Sequence, residues 1–216
     1  MTDISLLTTA LSKAPIVPVI TLDHVADAVP LADALRTGGM GVVEVTLRTD
    51  AALEGIAAMK SAFPEMLVGA GTLVSPGDVD AALSAGAEFL VSPGVTPKLL
   101  PALKEAGVPA LPGVATASEA MARADDGFPI LKLFPAVPVG GLSLLKSWAG
   151  PLSEIKFMPT GGISPKNMIE FLALPNVIAV GGSWMVSRSD IANGAWTRIR
   201  DIAADAVRMG LANGTD

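Results

Sequence analysis

Two periodicities take turns along this chain. Short runs rich in Val, Ile and Leu read as strands over Ile16–Ile20, Val42–Leu47, Leu67–Thr72, Phe89–Ser92, Ala110–Val114, Ile130–Phe134, Lys156–Thr160 and Val177–Val180. Between them, apolar residues recur at helical spacing over Val25–Arg36, Ala51–Phe63, Pro76–Ala85, Pro97–Ala106, Ala117–Arg123, Leu142–Trp148 and Pro165–Leu174. Ser75 before Pro76, Thr96 before Pro97 and Ser164 before Pro165 each place an N-cap residue ahead of a first-turn proline. Gly86 and Gly107 fall where helices should stop. Strand and helix alternating through eight units predict an α/β fold, a (β/α)8 TIM barrel. An open doubly wound sheet competes, but no GxGxxG turn follows the first strand. Ser5–Leu11 predicts an extra N-terminal helix across the bottom of the barrel. No linker-like stretch divides the chain, so one domain over residues 1–216 is expected.

The polar residues inside the strands carry more information. Alternate side chains of a strand share a face. Over Val42–Arg48, one face holds Val43, Val45 and Leu47, and the other holds Glu44, Thr46 and Arg48. In an all-parallel barrel the second face points inward, with Arg48 at the C-terminal mouth and Glu44 deeper. Lys132 stands alone in the apolar run Ile130–Ala136, sharing a face with Ile130 and Phe134. An unpaired ammonium in an apolar interior costs several kcal/mol or loses its proton, and a lysine ready to lose its proton is what amine nucleophiles and Schiff bases require. The structural alternatives are a lysine that snorkels to a polar rim or a buried Glu44–Lys132 ion pair. Such a pair adds little stability over apolar packing.

Composition narrows the chemistry. The chain has 216 residues, half of them hydrophobic, enough for one large core. No apolar run approaches the length of a membrane span, and Met1–Ala14 lacks a signal-peptide layout, so a cytoplasmic location is expected. A net charge of -6 argues against nucleic-acid or anionic-membrane partners. Cysteine and tyrosine are absent and His24 is the sole histidine. It follows Asp23, an N-cap candidate, and reads as structural. A histidine-based nucleophile system and a metal site of clustered histidines or thiolates are thereby excluded. Catalysis must rest on Lys, Glu, Asp, Arg, Ser and Thr.

Thr160-Gly161-Gly162 follows the seventh predicted strand and Gly181-Gly182-Ser183 follows the eighth. Loops at those two places commonly form a phosphate site in (β/α)8 enzymes. Asp50, Asp78 and Asp80 suit capping and solvation. Trp148, Trp184 and Trp196 suit packing or subunit contact, and Arg188 and Arg198–Arg200 suit a solvated helical face.

Taken together, Val42–Thr49 (VVEVTLRT), Gly69–Thr72 (GAGT), Val91–Gly94 (VSPG), Leu111–Val114 (LPGV), Leu131–Ala136 (LKLFPA), Met158–Ile163 (MPTGGI) and Val180–Trp184 (VGGSW) closely resemble the 2-keto-3-deoxy-6-phosphogluconate (KDPG) aldolases. Many of these also accept 4-hydroxy-2-oxoglutarate. The resemblance implies a homotrimer of (β/α)8 barrels that uses no metal or other cofactor. It implies that Lys132 forms the Schiff base, that Glu44 shuttles protons, and that Arg48 beside Thr72 holds the pyruvate carboxylate. Pro93 and Phe134 should shape the pocket around the reacting carbons. Gly161, Gly162, Gly182 and Ser183 should receive the phosphate, with Thr160 near the sugar hydroxyls, where a threonine accompanies the gluconate-type enzymes. Met158 departs from the pattern, a cysteine being frequent there, and lies outside the reacting set. Two other readings stay open: a sugar-phosphate isomerase or epimerase on the same barrel, and a non-catalytic phosphometabolite-binding protein.

Overall fold

The structure, a computed structural model, describes residues 4–212; Asp3 and the other terminal residues of the expected single domain lie outside them. Helix α1 (Ser5–Lys13) precedes β1 (Ile16–Ile20), and a short 3₁₀ turn, Val25–Asp27, leads into α2 (Ala28–Thr37). There follow β2 (Val42–Thr46), α3 (Ala52–Ala62), β3 (Leu67–Gly71), α4 (Pro76–Ser84), β4 (Leu90–Val91) and α5 (Leu99–Glu105). The chain continues through β5 (Ala110–Leu111), β6 (Gly113–Val114), α6 (Ala117–Asp125), β7 (Ile130–Leu133), α7 (Gly141–Trp148) and β8 (Lys156–Pro159). It ends with α8 (Met168–Leu172), β9 (Val180–Gly182), α9 (Arg188–Ala192) and α10 (Trp196–Leu211). None of the described helices is long and apolar enough to cross a membrane.

All recorded strand pairings are parallel. The strands form a curled six-stranded sheet, in order β5-β4-β3-β2-β1-β9, and a three-stranded sheet, β6-β7-β8. Alternation sorts the side chains as anticipated. Val43, Val45, Leu131 and Leu133 belong to the large core beneath the helices. Val17, Val42, Val91, Leu111, Ile130 and Met158 form a second, interior cluster. Leu7 and Leu11 of α1 join that interior cluster, so the N-terminal helix plugs one end of the curl.

Several elements depart from the periodicity for local reasons. The fifth predicted strand is split at Pro112, which has no N–H to give a neighbouring strand but still accepts from Lys132 N at 3.0 Å. Regular pairing of the last strand begins at Val180, so Gly181 and Gly182 lie inside β9 instead of in a loop after it. Close approach is the cause: a Cβ on Gly181 would collide with Thr160 Oγ1. The helix predicted over Pro165–Leu174 contracts to α8, because Asn167 turns back to accept from Ser164 N at 2.8 Å. Asp23 caps nothing; it pairs with Arg188 at 2.8 Å, and His24 occupies the N-cap of the 3₁₀ turn without a side-chain bond.

Two capping boxes pin helices beneath the sheet, Ser75/Asp78 on α4 and Thr116/Glu119 on α6. The Ala115 N–H donates to Glu119 at 2.7 Å and holds its carboxyl below the ordinary range, helped by Thr116. A carboxyl lowered on folding contributes stability above the ordinary carboxylate range and loses it as pH falls through the folded value. Thr116→Ala should cost about 1 kcal/mol, which lowers Tm by roughly 2–4 °C for a chain of this length. In thermal melts, the Tm deficit of Glu119→Ala should shrink as the pH is taken down through the acid range.

Candidate active site

The interior face of β2 delivers Glu44, and that of β7 delivers Lys132. Both are removed from solvent, Glu44 at 0% and Lys132 at 4% exposure. Lys132 Nζ lies 3.1 Å from Glu44 Oε1 and 5.2 Å from the centroid of the Phe134 ring, on the interior side that the strand pattern required. A pair kept only for stability would have both carboxylate oxygens satisfied, since an unpaired buried acceptor costs about 1–3 kcal/mol. Glu44 Oε2 is instead buried with no hydrogen-bond partner among the described residues.

Gly71 explains how the carboxylate reaches this position. It stands opposite Thr46 across β2 and β3, and a Cβ there would collide with Glu44 Oε1. Gly71 was visible in the sequence only as part of GAGT; nothing local marks it as the residue that makes room for a carboxylate on another strand.

Arg48 and Thr72 meet at the rim, just past the ends of β2 and β3. Arg48 Nε donates to Thr72 Oγ1 at 3.0 Å, which leaves both terminal nitrogens for a carboxylate. Thr72 holds φ at +64°, and no other non-glycine among the described residues has a positive φ. For a β-branched residue this conformation costs about 1–3 kcal/mol. It turns the hydroxyl toward Arg48, and no feature of the sequence forecasts it.

The remaining predicted residues sit at the same strand ends. Pro93 follows β4 and is half-buried, and Phe134 follows β7 at a cis Phe134–Pro135 peptide. Thr160 follows β8, buried, its hydroxyl 3.5 Å from the Met158 carbonyl. Gly161 and Gly162 have φ of +100° and +82°, values that only glycine adopts freely. Gly182 is buried in β9 and Ser183 beyond it is exposed. Lys132, Glu44 and Phe134 thus form one group, Arg48 and Thr72 a second, and Thr160 with Gly181 a third.

An α/β fold with a curled parallel sheet, carrying a buried lysine against a carboxylate, has the parts of an imine-forming lyase. Residues 7–202 match the family described as KDPG and KHG aldolase, and the chain belongs to that family. It is 45% identical over 197 residues to the KHG/KDPG aldolase of Escherichia coli, covering 91% of this chain and 92% of that one. The solved KDPG aldolase of Legionella pneumophila, with pyruvate captured at low pH as a covalent carbinolamine, superposes with a TM-score of 0.90. The two are 42% identical over 93% of this chain and 97% of that one. The KDPG aldolase of Zymomonas mobilis with 3-phosphoglycerate gives a TM-score of 0.86 at 41% identity, covering 95% and 96% of the two chains.

Gly71→Ala should push the Glu44 carboxylate off Lys132 while the sheet survives. Because a misplacement of about 1 Å can cost on the order of 100-fold in rate, kcat for aldol cleavage should fall at least about tenfold. Initial rates, read beside a circular dichroism spectrum that stays native, check this; a kcat within twofold of the parent contradicts the role given to Gly71.

Proposed function

We propose that this protein is a class I aldolase that cleaves 2-keto-3-deoxy-6-phosphogluconate to pyruvate and glyceraldehyde 3-phosphate and also acts on 4-hydroxy-2-oxoglutarate. The observation that carries the proposal is the buried Lys132–Glu44 pair with one carboxylate oxygen unsatisfied. Its counterpart among relatives is the Legionella pneumophila enzyme caught with pyruvate as a covalent carbinolamine. The sheets are read as one closed, single-domain (β/α)8 barrel. Support comes from Lys132 N on β7 donating to Pro112 O, which lies between β5 and β6, and from Phe157 N donating to Asn176 O and Ile178 N to Phe157 O ahead of β9. A homotrimer is proposed from the family resemblance, and a cytoplasmic location from the composition of the chain.

The chemistry follows from the geometry. Lys132 must shed its proton before attacking the C2 ketone, and Glu44 at 3.1 Å is the acceptor. The carbinolamine hydroxyl takes that proton back from Glu44 and leaves as water, giving a protonated imine and restoring the Glu44 carboxylate. Glu44 then removes the C4 hydroxyl proton, the C3–C4 bond breaks, and its electrons pass to the imine, leaving an enamine and glyceraldehyde 3-phosphate. Return of the proton to C3 and hydrolysis release pyruvate and the free lysine. The imine serves as the electron sink, so no metal is needed. Arg48 with Thr72 holds the carboxylate, and Pro93 and Phe134 wall the reacting carbons. Gly161, Gly162, Gly182 and Ser183 receive the phosphate.

Borohydride added with pyruvate should attach one pyruvate-derived group per chain at Lys132, with EDTA present or absent. Peptide mass spectrometry locates it, and Lys132→Ala should take up none and lose cleavage. An isomerase or a non-catalytic binding protein needs no imine, so an unmodified Lys132 under saturating pyruvate would count against the aldolase.

Thr160 is the residue proposed to read configuration at C4, because its hydroxyl donates or accepts where valine does neither. The gluconate epimer should be preferred over the galactonate epimer in kcat/KM. Thr160→Val should narrow that preference; equal use of both epimers by the parent removes Thr160 from the explanation.

A further inference from the structure

Strand β1 lies between the two ends of the site. It pairs with β2 through Val19 opposite Glu44, and with β9 through Pro18 opposite Gly182. On the functional reading above, a substrate held by its carboxylate beyond β2 and by its phosphate beyond β9 passes over the end of β1. Ile16 and Ile20 pack outward under the helices and Val17 faces the interior, so Val19 and Thr21 share the interior side. Thr21 is the first residue past β1, half-buried, and the polar side chain on that side of the strand.

Its hydrogen bonds have a fixed direction. Thr46 is fully buried on the face of β2 that carries Glu44, and its Oγ1 lies 2.8 Å from the Ile20 carbonyl oxygen. A carbonyl only accepts, so the one proton of Thr46 is committed to Ile20. The 3.2 Å contact between Thr21 Oγ1 and Thr46 Oγ1 must then be donated by Thr21. Thr21 therefore has no proton left to give, and its oxygen meets a bound molecule as an acceptor.

We propose that Thr21 is a specificity-determining residue that accepts a hydrogen bond from the C5 hydroxyl of the phosphorylated sugar acid. The C4 hydroxyl is committed to Glu44, so the next donor along the chain toward the phosphate is at C5. In 4-hydroxy-2-oxoglutarate that carbon is a carboxylate, which has no proton to donate. Thr21 thus favours the six-carbon phosphorylated substrate over the five-carbon diacid by one hydrogen bond.

The test compares kcat/KM for both substrates in the parent, Thr21→Val, Thr21→Ala and Thr21→Ser. Loss of one neutral hydrogen bond should lower the ratio of the two by about fivefold to tenfold in the valine and alanine variants, and serine should restore it. A synthetic KDPG lacking the C5 hydroxyl should lose the same factor with the parent and lose nothing further with Thr21→Val. A ratio that stays put in the valine and alanine variants, or a 5-deoxy penalty that persists undiminished in Thr21→Val, overturns the assignment. Borohydride trapping of pyruvate on Lys132 in the parent is scored separately, so failure of the aldolase reading is distinguishable from failure of this one.

Discussion

The buried contact between Lys132 and Glu44 is the constraint around which the interior of this protein is arranged. Two ions withdrawn from water lose several kcal/mol each in solvation, and their mutual attraction repays that only where geometry and further hydrogen bonds are good. Here one such bond joins them, from Lys132 Nζ to Glu44 Oε1 at 3.1 Å. The surroundings are shaped to tolerate the pair: Gly71 clears the space that the carboxylate occupies, Phe134 offers the Lys132 head group a ring face, and Val42 and Ile130 beside the pair are apolar.

Shaping of this kind recurs at the rim. Thr72 is held in a left-handed conformation that suits glycine better, and in that conformation it fixes Arg48 by its Nε. A guanidinium steered from one edge presents the other to a planar anion, so strain in one backbone residue becomes preorganisation of the cation beside it. Gly161 and Gly162 adopt positive φ angles of +100° and +82° that glycine alone takes freely. On the proposed function, carboxylate recognition rests on a side chain and phosphate recognition on the backbone. This division suits the two anions: a planar fork reads a carboxylate, and a cup of amides surrounds a phosphate.

Much of this was legible in the sequence because the physics involved is local or periodic. Period-two alternation assigned Glu44 and Lys132 to the interior, and a lone lysine in an apolar run is conspicuous whatever the fold. Ser75 was legible as an N-cap from its place before Pro76, and it caps α4. Paired glycines at two successive strand ends were visible too, but Gly181 and Gly182 lie within β9 and not in a loop after it. Tertiary structure alone decided what depends on residues distant in the chain. The 3.1 Å approach of Lys132 to Glu44 spans 88 positions, and the clearance that Gly71 gives Glu44 exists only once β2 and β3 are in register. The direction of the Thr21–Thr46 bond is set by a carbonyl on the neighbouring strand. The positive φ of Thr72 has no local signal because the strain is imposed by its neighbours in space. The amino-acid sequence by itself determined which residues face inward, since side-chain direction is a property of the strand. The distances among them required the parallel strand pairings, because register is a property of the sheet.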